Sequence, residues 1–304
     1  MDKLTIMNRM KDSYEVRARH YLTRRIPVIM RLECKAFHTY TKGLNKPFDE
    51  GLIEDMQKTA IYLCEQIQGA KCAYTQSDEI SILLTDYENL NTEAWFDYET
   101  QEMTSISASL ATCIFNKLRI ERLFDNKIVN LASPYEPMTK NDIVFTIPTD
   151  DWNKFNLANF YSHSFKDDVS NYFLARQLDA EKNSIAMLAQ SLYSHKELHG
   201  KHGGIMQEMC FQKGHNWNDL HFSKKRGSFI VKNTYMNGEL VQETCDYDDV
   251  CYPSYTIYAG TNVFKDDGWY DENNAYIDKP IIRTKWEVVE TPMRFNESHF
   301  KKWL

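Results

Sequence analysis

The feature that most constrains this chain is a set of apolar, strand-like runs with acids at their ends. Residues 26–32 read IPVIMRL, an apolar and β-branched run of the kind that buries as a strand, and the run stops at Glu33. Further on, KCAYTQSDEISILLTD sets Cys72, Ala73 and Tyr74, and then Ile80 to Leu84, on either side of a polar tip. That is a hairpin pattern with Asp78 and Glu79 at or near its turn. Between the two, Leu52, Met56, Ala60, Leu63 and Ile67 recur at helical spacing within 49–68, and Asp49 is the expected N-cap.

A second helix is expected from Met103 to about Phe124, with Ser105, Ser107, Ala108, Ser109 and Ala111 small enough to pack closely on a sheet. A strand near 159–165, a long helix from Asp168 to Leu192, and strands at 225–235, 255–258 and 281–289 follow. The order strand, helix, strand, strand, helix predicts an α+β fold, a mixed or antiparallel sheet with helices packed on one face.

The 304 residues suffice for one large domain or two small ones. With 42% hydrophobic and 13% aromatic residues, the chain carries too much apolar surface to stay disordered. No apolar run approaches the roughly 20 residues that a membrane helix needs, so no membrane partner is expected. The first residues, MDKLTIMNRMKDSYEVRARH, are charged throughout and lack a signal-peptide core. The seven cysteines are odd in number and form no CxxC pair, which together with that N-terminus predicts reduced thiols and a cytoplasmic location. Cys64 and Cys113 sit in helical apolar patterns and are expected in the core. His195, His199 and His202 form the nearest metal-like grouping, but the glycines of HGKHGG favour a solvated loop there over a zinc site. The net charge of −7 argues against a nucleic-acid coat while leaving room for a local basic groove.

If the strand over 26–32 lies beside the hairpin, Glu33 and Asp78 approach each other. Two close carboxylates repel unless a cation lies between them. Carboxylates with triphosphate oxygens suit Mg²⁺, and a pair of such ions stabilises the attacking and leaving oxygens of an in-line phosphoryl transfer. A solvated turn is the plainer reading of an SDE tip, and spacing alone leaves both open. Lys46 beside Pro47 offers a point charge to phosphate. Arg176, Asp179 and Asn183 fall on one face of the long helix, as an ion pair or as a ligand surface. The KKR run at 224–226 is a solvated basic face or an RNA-backbone contact.

The blocks RLECKAFHTYTKGLNKPFDE, AYTQSDEISILL and YFLARQLDAEKNSIAMLAQ, with SHKELHGK and WNDLHFSKKRGSFIVK after them, resemble the tRNA(His) guanylyltransferase family, above all its shorter Thg-like members in bacteria and phages. The resemblance runs from about residue 20 to about residue 235. It implies a polymerase-palm-like nucleotidyltransferase domain over 1–240, with 241–304 as a C-terminal extension. It also implies addition of a nucleotide, GTP-derived, to the 5′ end of tRNA or a related RNA in the 3′-to-5′ direction, with GTP, ATP or both as nucleotide partners. Two Mg²⁺ ions would be held by Glu33, Asp78 and the backbone carbonyl of Cys34, with Glu79 as a further catalytic acid. Lys35, Phe37, His38, Lys46 and Ser77 would bind the nucleotide. Arg176, Gln177, Asp179, Asn183, His195 and Lys196 would contact RNA or substrate. A homo-oligomer, tetramer or dimer, is implied as well.

The chain departs from the family pattern at several places. Glu33 and Cys34 stand where an Asp-Gly pair is usual, Glu102 where a basic residue is, and Tyr161 and His163 within the FDxRV strand motif. Those departures motivate two rival outcomes on the same palm: cyclic or oligonucleotide products, or a non-tRNA acceptor. A non-catalytic nucleotide- or RNA-binding relative is the third.

Overall fold

The computed structural model describes residues 3–131, 155–162, 166–236, 239–247, 253–259, 262–265, 268–270, 276–277 and 282–304. His163 and Cys251 lie outside them, as does part of the strand expected near 159–165.

The chain forms two compact units, one of residues 1–230 with 288–304 and one of residues 231–287. The boundary thus falls ahead of residue 240, and the end of the expected extension belongs to the first unit. In that unit β1 (Val28–Cys34), β2 (Ala70–Gln76), β3 (Glu79–Leu84), β4 (Phe155–Ser162) and the start of β5 (Ser228–Met236) lie in the order β5-β2-β3-β1-β4. The β1–β3, β1–β4 and β2–β3 pairs are antiparallel. All six residues of β3 are buried, so both of its faces are covered.

Helix α1 (Lys3–Met10) precedes the sheet, and the short α2 (Phe37–Tyr40) follows β1. Helix α3 (Glu50–Gln66) begins where the pattern predicts, with the Asp49 carboxylate accepting the Leu52 N–H at 2.8 Å. It packs on α4 (Thr100–Leu131) and against β2. Along α4 the inward positions are Met103, Ser107, Ala111 and Phe115, one every fourth residue. Cys113 is two residues out of that phase and is exposed, as are Ser105 and Ser109, so neither the cysteine nor those two serines serve the core. Cys64 is buried as expected.

Asp55 of α3 is 1% exposed and accepts from Arg119 at 2.9 Å and from Arg122 at 2.6 Å, both on α4. That ion cluster bolts the two helices together. Helix α5 (Lys166–Leu192) meets the sheet through Tyr172, whose hydroxyl is 3.0 Å from that of Ser81, and through Phe173, edge-on to Tyr74. Tyr74 and Ser81 are register partners and share a face. Three helices follow, α6 (His195–Leu198), α7 (Gly203–Gln212) and α8 (Phe222–Lys225). Leu188, Ala189, Leu198, Cys210 and Trp217 make a second apolar cluster beneath them.

The second unit is built from antiparallel strands. The remainder of β5 pairs with β6 (Glu239–Tyr247), and β6 continues through β7 (Pro253–Ala259), β8 (Asn262–Lys265), β9 (Gly268–Tyr270) and β10 (Tyr276–Ile277) as a meander. Strand β11 (Ile282–Val289) pairs with β5. The strand-like pieces at 255–258 and 281–289 fall on β7 and β11. Among the described residues no helix is long and apolar enough to cross a membrane.

Candidate active site

The acids at the strand ends meet. In the β1–β3 ladder Glu33 is the partner of Glu79, and the backbone N–H of Cys34 donates to the carbonyl of Asp78 at 3.0 Å. Strands β2 and β3 are joined by only Ser77 and Asp78, and Ser77 has a φ of 52°. A tight two-residue hairpin needs such left-handed backbone, and in a serine it costs on the order of 1–3 kcal/mol, a strain that clusters at functional sites. The tip is thereby fixed with Asp78 beside the end of β1.

Electrostatics bear this out. Burial pushes the Asp78 carboxyl above its usual range and the nearby charge of Glu33 pushes it further, while its own backbone N–H and the Ser77 hydroxyl hold it down. Burial likewise raises Glu79, opposed by Arg31. Glu79 is 4% exposed; its Oε2 accepts from Arg31 at 2.7 Å and lies 3.6 Å from the Arg176 guanidinium. Arg31 also donates to Glu33. Glu79 Oε1 is buried with no hydrogen-bond partner among the described residues. Arg31 was not singled out from the sequence. Its signal is there: a charged side chain between Met30 and Leu32, which are both buried, must find a carboxylate on its own face of the sheet.

A cavity of about 540 Å³ opens beside the tip, in the size range of small-ligand sites. One side is α2 and the loop after it, with Phe37, His38 and Lys46; a second is the hairpin end, with Thr75, Gln76 and Ser77. Helix α5 contributes Asn183 and Ser184, and Lys224, Gly227 and Ser228 close the remaining side. The positive charges of Lys46 and Lys224, with hydroxyls and amides between apolar walls, suit a phosphorylated ligand with an aromatic base.

Several expected contacts stand elsewhere. Gln177 is fully buried outside the cavity lining; its amide donates to the Pro292 carbonyl at 2.6 Å and its carbonyl accepts the Phe295 N–H at 3.1 Å. Asp179 accepts from Asn183 at 3.1 Å and is not among the cavity's walls. Arg176 pairs with Glu79 rather than with Asp179. Lys35, His195 and Lys196 are exposed outside the cavity lining, and α6 is a single turn with His199 as its C-cap. The KKR run is not one solvated face: Lys224 lines the cavity and pairs with Glu50 at 2.6 Å, Lys225 is 9% exposed and donates to the Asn218 carbonyl, and Arg226 lies 3.8 Å from Glu181.

Comparison with known proteins identifies the family. The family model of tRNA(His) guanylyltransferase matches residues 7–139. A bacterial tRNA(His) guanylyltransferase-like protein solved in complex with ATP is 41% identical, over 74% of this chain and 88% of its own, with a TM-score of 0.62. The chain belongs to the tRNA(His) guanylyltransferase family. A structure of a bacterial tRNA(His) guanylyltransferase-like protein in complex with GTP is 32% identical across 99% of this chain and 97% of its own, again with a TM-score of 0.62. The probable tRNA(His) guanylyltransferase of Drosophila melanogaster is 25% identical over 226 residues, 70% of this chain and 69% of that one. As a family member the protein is a nucleotidyltransferase with the palm-like α+β fold, and the paired acids sit at the strand ends of that palm.

Proposed function

We propose that the protein adds a GTP-derived nucleotide to the 5′ end of a tRNA or related RNA in the 3′-to-5′ direction, with Mg²⁺ at Glu33 and Asp78. The observation that carries this reading is the pairing of Glu33 with Glu79 and of Cys34 with Asp78 at the strand ends, beside a cavity with lysines at two of its edges. The donor set of Glu33 and Asp78 fits a hard cation: it offers oxygen only, and the charge of Glu33 acts against that of Asp78. Among the described residues no three acid, His or Cys side chains gather as a ready-made metal cage. Mg²⁺ takes one or two carboxylates and completes its shell with phosphate and water. When bound, the metal would supply charge neutralisation and lower the pKa of the attacking hydroxyl.

The chain's own residues do the rest. Lys46 and Lys224 would hold the triphosphate, Ser77 would orient it at the strained tip, and Phe37 and His38 would flank the base. Glu79, clamped by Arg31 and Arg176, keeps the acid cluster in register rather than ligating. In the transfer, the 3′-hydroxyl of the incoming nucleotide bonds to the 5′ phosphorus of the RNA. Pyrophosphate leaves from a 5′-triphosphate end, or AMP from an end first adenylylated with ATP.

The test is incubation with labelled GTP, Mg²⁺ and RNA bearing either 5′ end, with Asp78→Ala as the control. Growth of the RNA at its 5′ end supports the reading. A labelled product that forms equally without RNA would replace it with cyclic or oligonucleotide synthesis.

A further inference from the structure

The end of the chain touches three walls of the cavity that are remote from one another in sequence. The Thr291 hydroxyl donates to the carbonyl of Gly227 at 2.8 Å, in the loop whose Gly227 and Ser228 face the cavity. Gln177 of α5 binds the next stretch at both ends of its amide, to the Pro292 carbonyl and the Phe295 N–H. Glu181, one turn on, pairs with Arg294 at 2.5 Å. The Phe295 ring lies edge-on to Tyr74 at 5.7 Å, and Tyr74 leads directly into the cavity-lining end of β2. Tyr74 is itself tied to the loop through its hydroxyl, which donates to the Arg226 carbonyl at 2.6 Å. Phe295 and Phe300 are buried to 2% and 0% exposure, so this is core packing and not a loose tail.

We propose that residues 291–300 are a positioning strap. By binding β2, α5 and the 226–228 loop at once, they set the spacing of the cavity walls, with Gln177 as the positioning residue that couples strap to helix. The inference rests on the cavity being the nucleoside triphosphate seat. A wall spacing fixed before the ligand arrives lowers the ordering cost of binding. The coupling is reciprocal: a nucleotide that binds the fixed spacing must in turn stabilise the strap, although no strap residue lines the cavity.

The experiment uses the full-length protein. Calorimetry measures GTP and ATP affinity with Mg²⁺ for wild type, Gln177→Leu and Thr291→Val, at a temperature where circular dichroism shows each to be folded. Hydrogen exchange follows the Phe295 amide with and without nucleotide. The expected result is Phe295 exchange slowed by nucleotide more than that of Leu83, a core amide outside the cavity lining, since any ligand slows amides that exchange by global unfolding, and, in each variant, affinity reduced about tenfold. A strap that merely stabilises the fold slows Phe295 exchange no more than Leu83 and leaves variant affinity at the wild-type value; that result overturns the inference while the cavity reading stands. Wild-type protein that binds neither nucleotide removes the cavity reading and this inference with it. Should Gln177→Leu fail to fold, Thr291→Val, which removes a single hydrogen bond, decides.

Discussion

Glu33 faces Glu79 across the β1–β3 ladder, and one guanidinium, that of Arg31, binds both. The guanidinium thus holds the two like charges together. Replacing Arg31 with Met leaves Glu79, 4% exposed, beside only Arg176 at 3.6 Å. Removing one partner of a buried pair strands the other, so Arg31→Met is expected to destabilise the fold by about 2 kcal/mol in urea denaturation. Adding Glu79→Gln removes the stranded charge, and the double variant is expected to recover at least ~1 kcal/mol of that loss. Strict additivity of the two substitutions would show that the pair does not act as a unit.

Asp78 carries opposite demands from chemistry and from folding. Its carboxyl is raised, first by burial and then by Glu33. The folded chain therefore holds that proton to higher pH than the unfolded chain, and stability contributed by the neutral acid is lost as pH rises from the ordinary aspartate range through the raised folded value. In Asp78→Asn the side chain is neutral at every pH. The variant is expected to melt higher than wild type at neutral pH without added metal, with the gap closing in acid. Nucleotidyl transfer is expected to fall on the order of a hundredfold or more. A thermal-melt series over pH, run beside a transfer assay, checks both; a variant that melts lower at neutral pH would contradict the burial argument.

The parts of this molecule that were legible in the sequence are those fixed by short-range pattern. The apolar run before Glu33, the polar tip and the Asp49 cap are local devices; the cap stands where its residues predict, while β1 runs on through Glu33 to Cys34 and the strands extend into the TQSDE tip until only Ser77 and Asp78 join them. Phase was harder: Cys113 looks apolar in a helical stretch, but the inward positions of α4 repeat at 103, 107, 111 and 115, and it misses them. Gln177 misled for a different reason. A polar residue in a polar helical block reads as ligand contact, and only the return of Pro292 and Phe295, more than a hundred residues away, reveals that its amide is buried against the chain's own backbone. The division at residue 230 was equally hidden, because β5 runs through it without any break in its strand pattern.

Lys46 is exposed at the cavity edge and belongs to none of the ion pairs found among the described residues. It is thus available to phosphate and contributes little to the fold. Lys46→Gln is expected to leave the unfolding midpoint unchanged and to weaken nucleoside triphosphate binding about tenfold, the scale of one charge-assisted contact. Calorimetric titration with GTP and with guanosine separates the effects: the loss should appear for the triphosphate alone. An equal loss for guanosine would place Lys46 at the base and not at the phosphates.

Asp55 links the helical layer to the cavity. It is 1% exposed between Arg119 and Arg122, and Arg119 also donates to the Tyr40 hydroxyl at 3.1 Å, at the end of the helix that carries Phe37 and His38. Asp55→Asn keeps the shape but removes the charge, leaving two guanidiniums together with reduced compensation. The expected cost is about 3 kcal/mol, as for a buried ion cluster that loses its central partner. Because Arg119 then loses its anchor, Tyr40 loses a fixed donor, and the α2 wall of the cavity is expected to loosen. Urea denaturation reads the first effect, and nucleotide KM at low denaturant-free temperature reads the second, which should rise while kcat holds. An unchanged KM alongside the expected loss of stability would confine Asp55 to the packing of α3 on α4 and separate that layer from ligand binding.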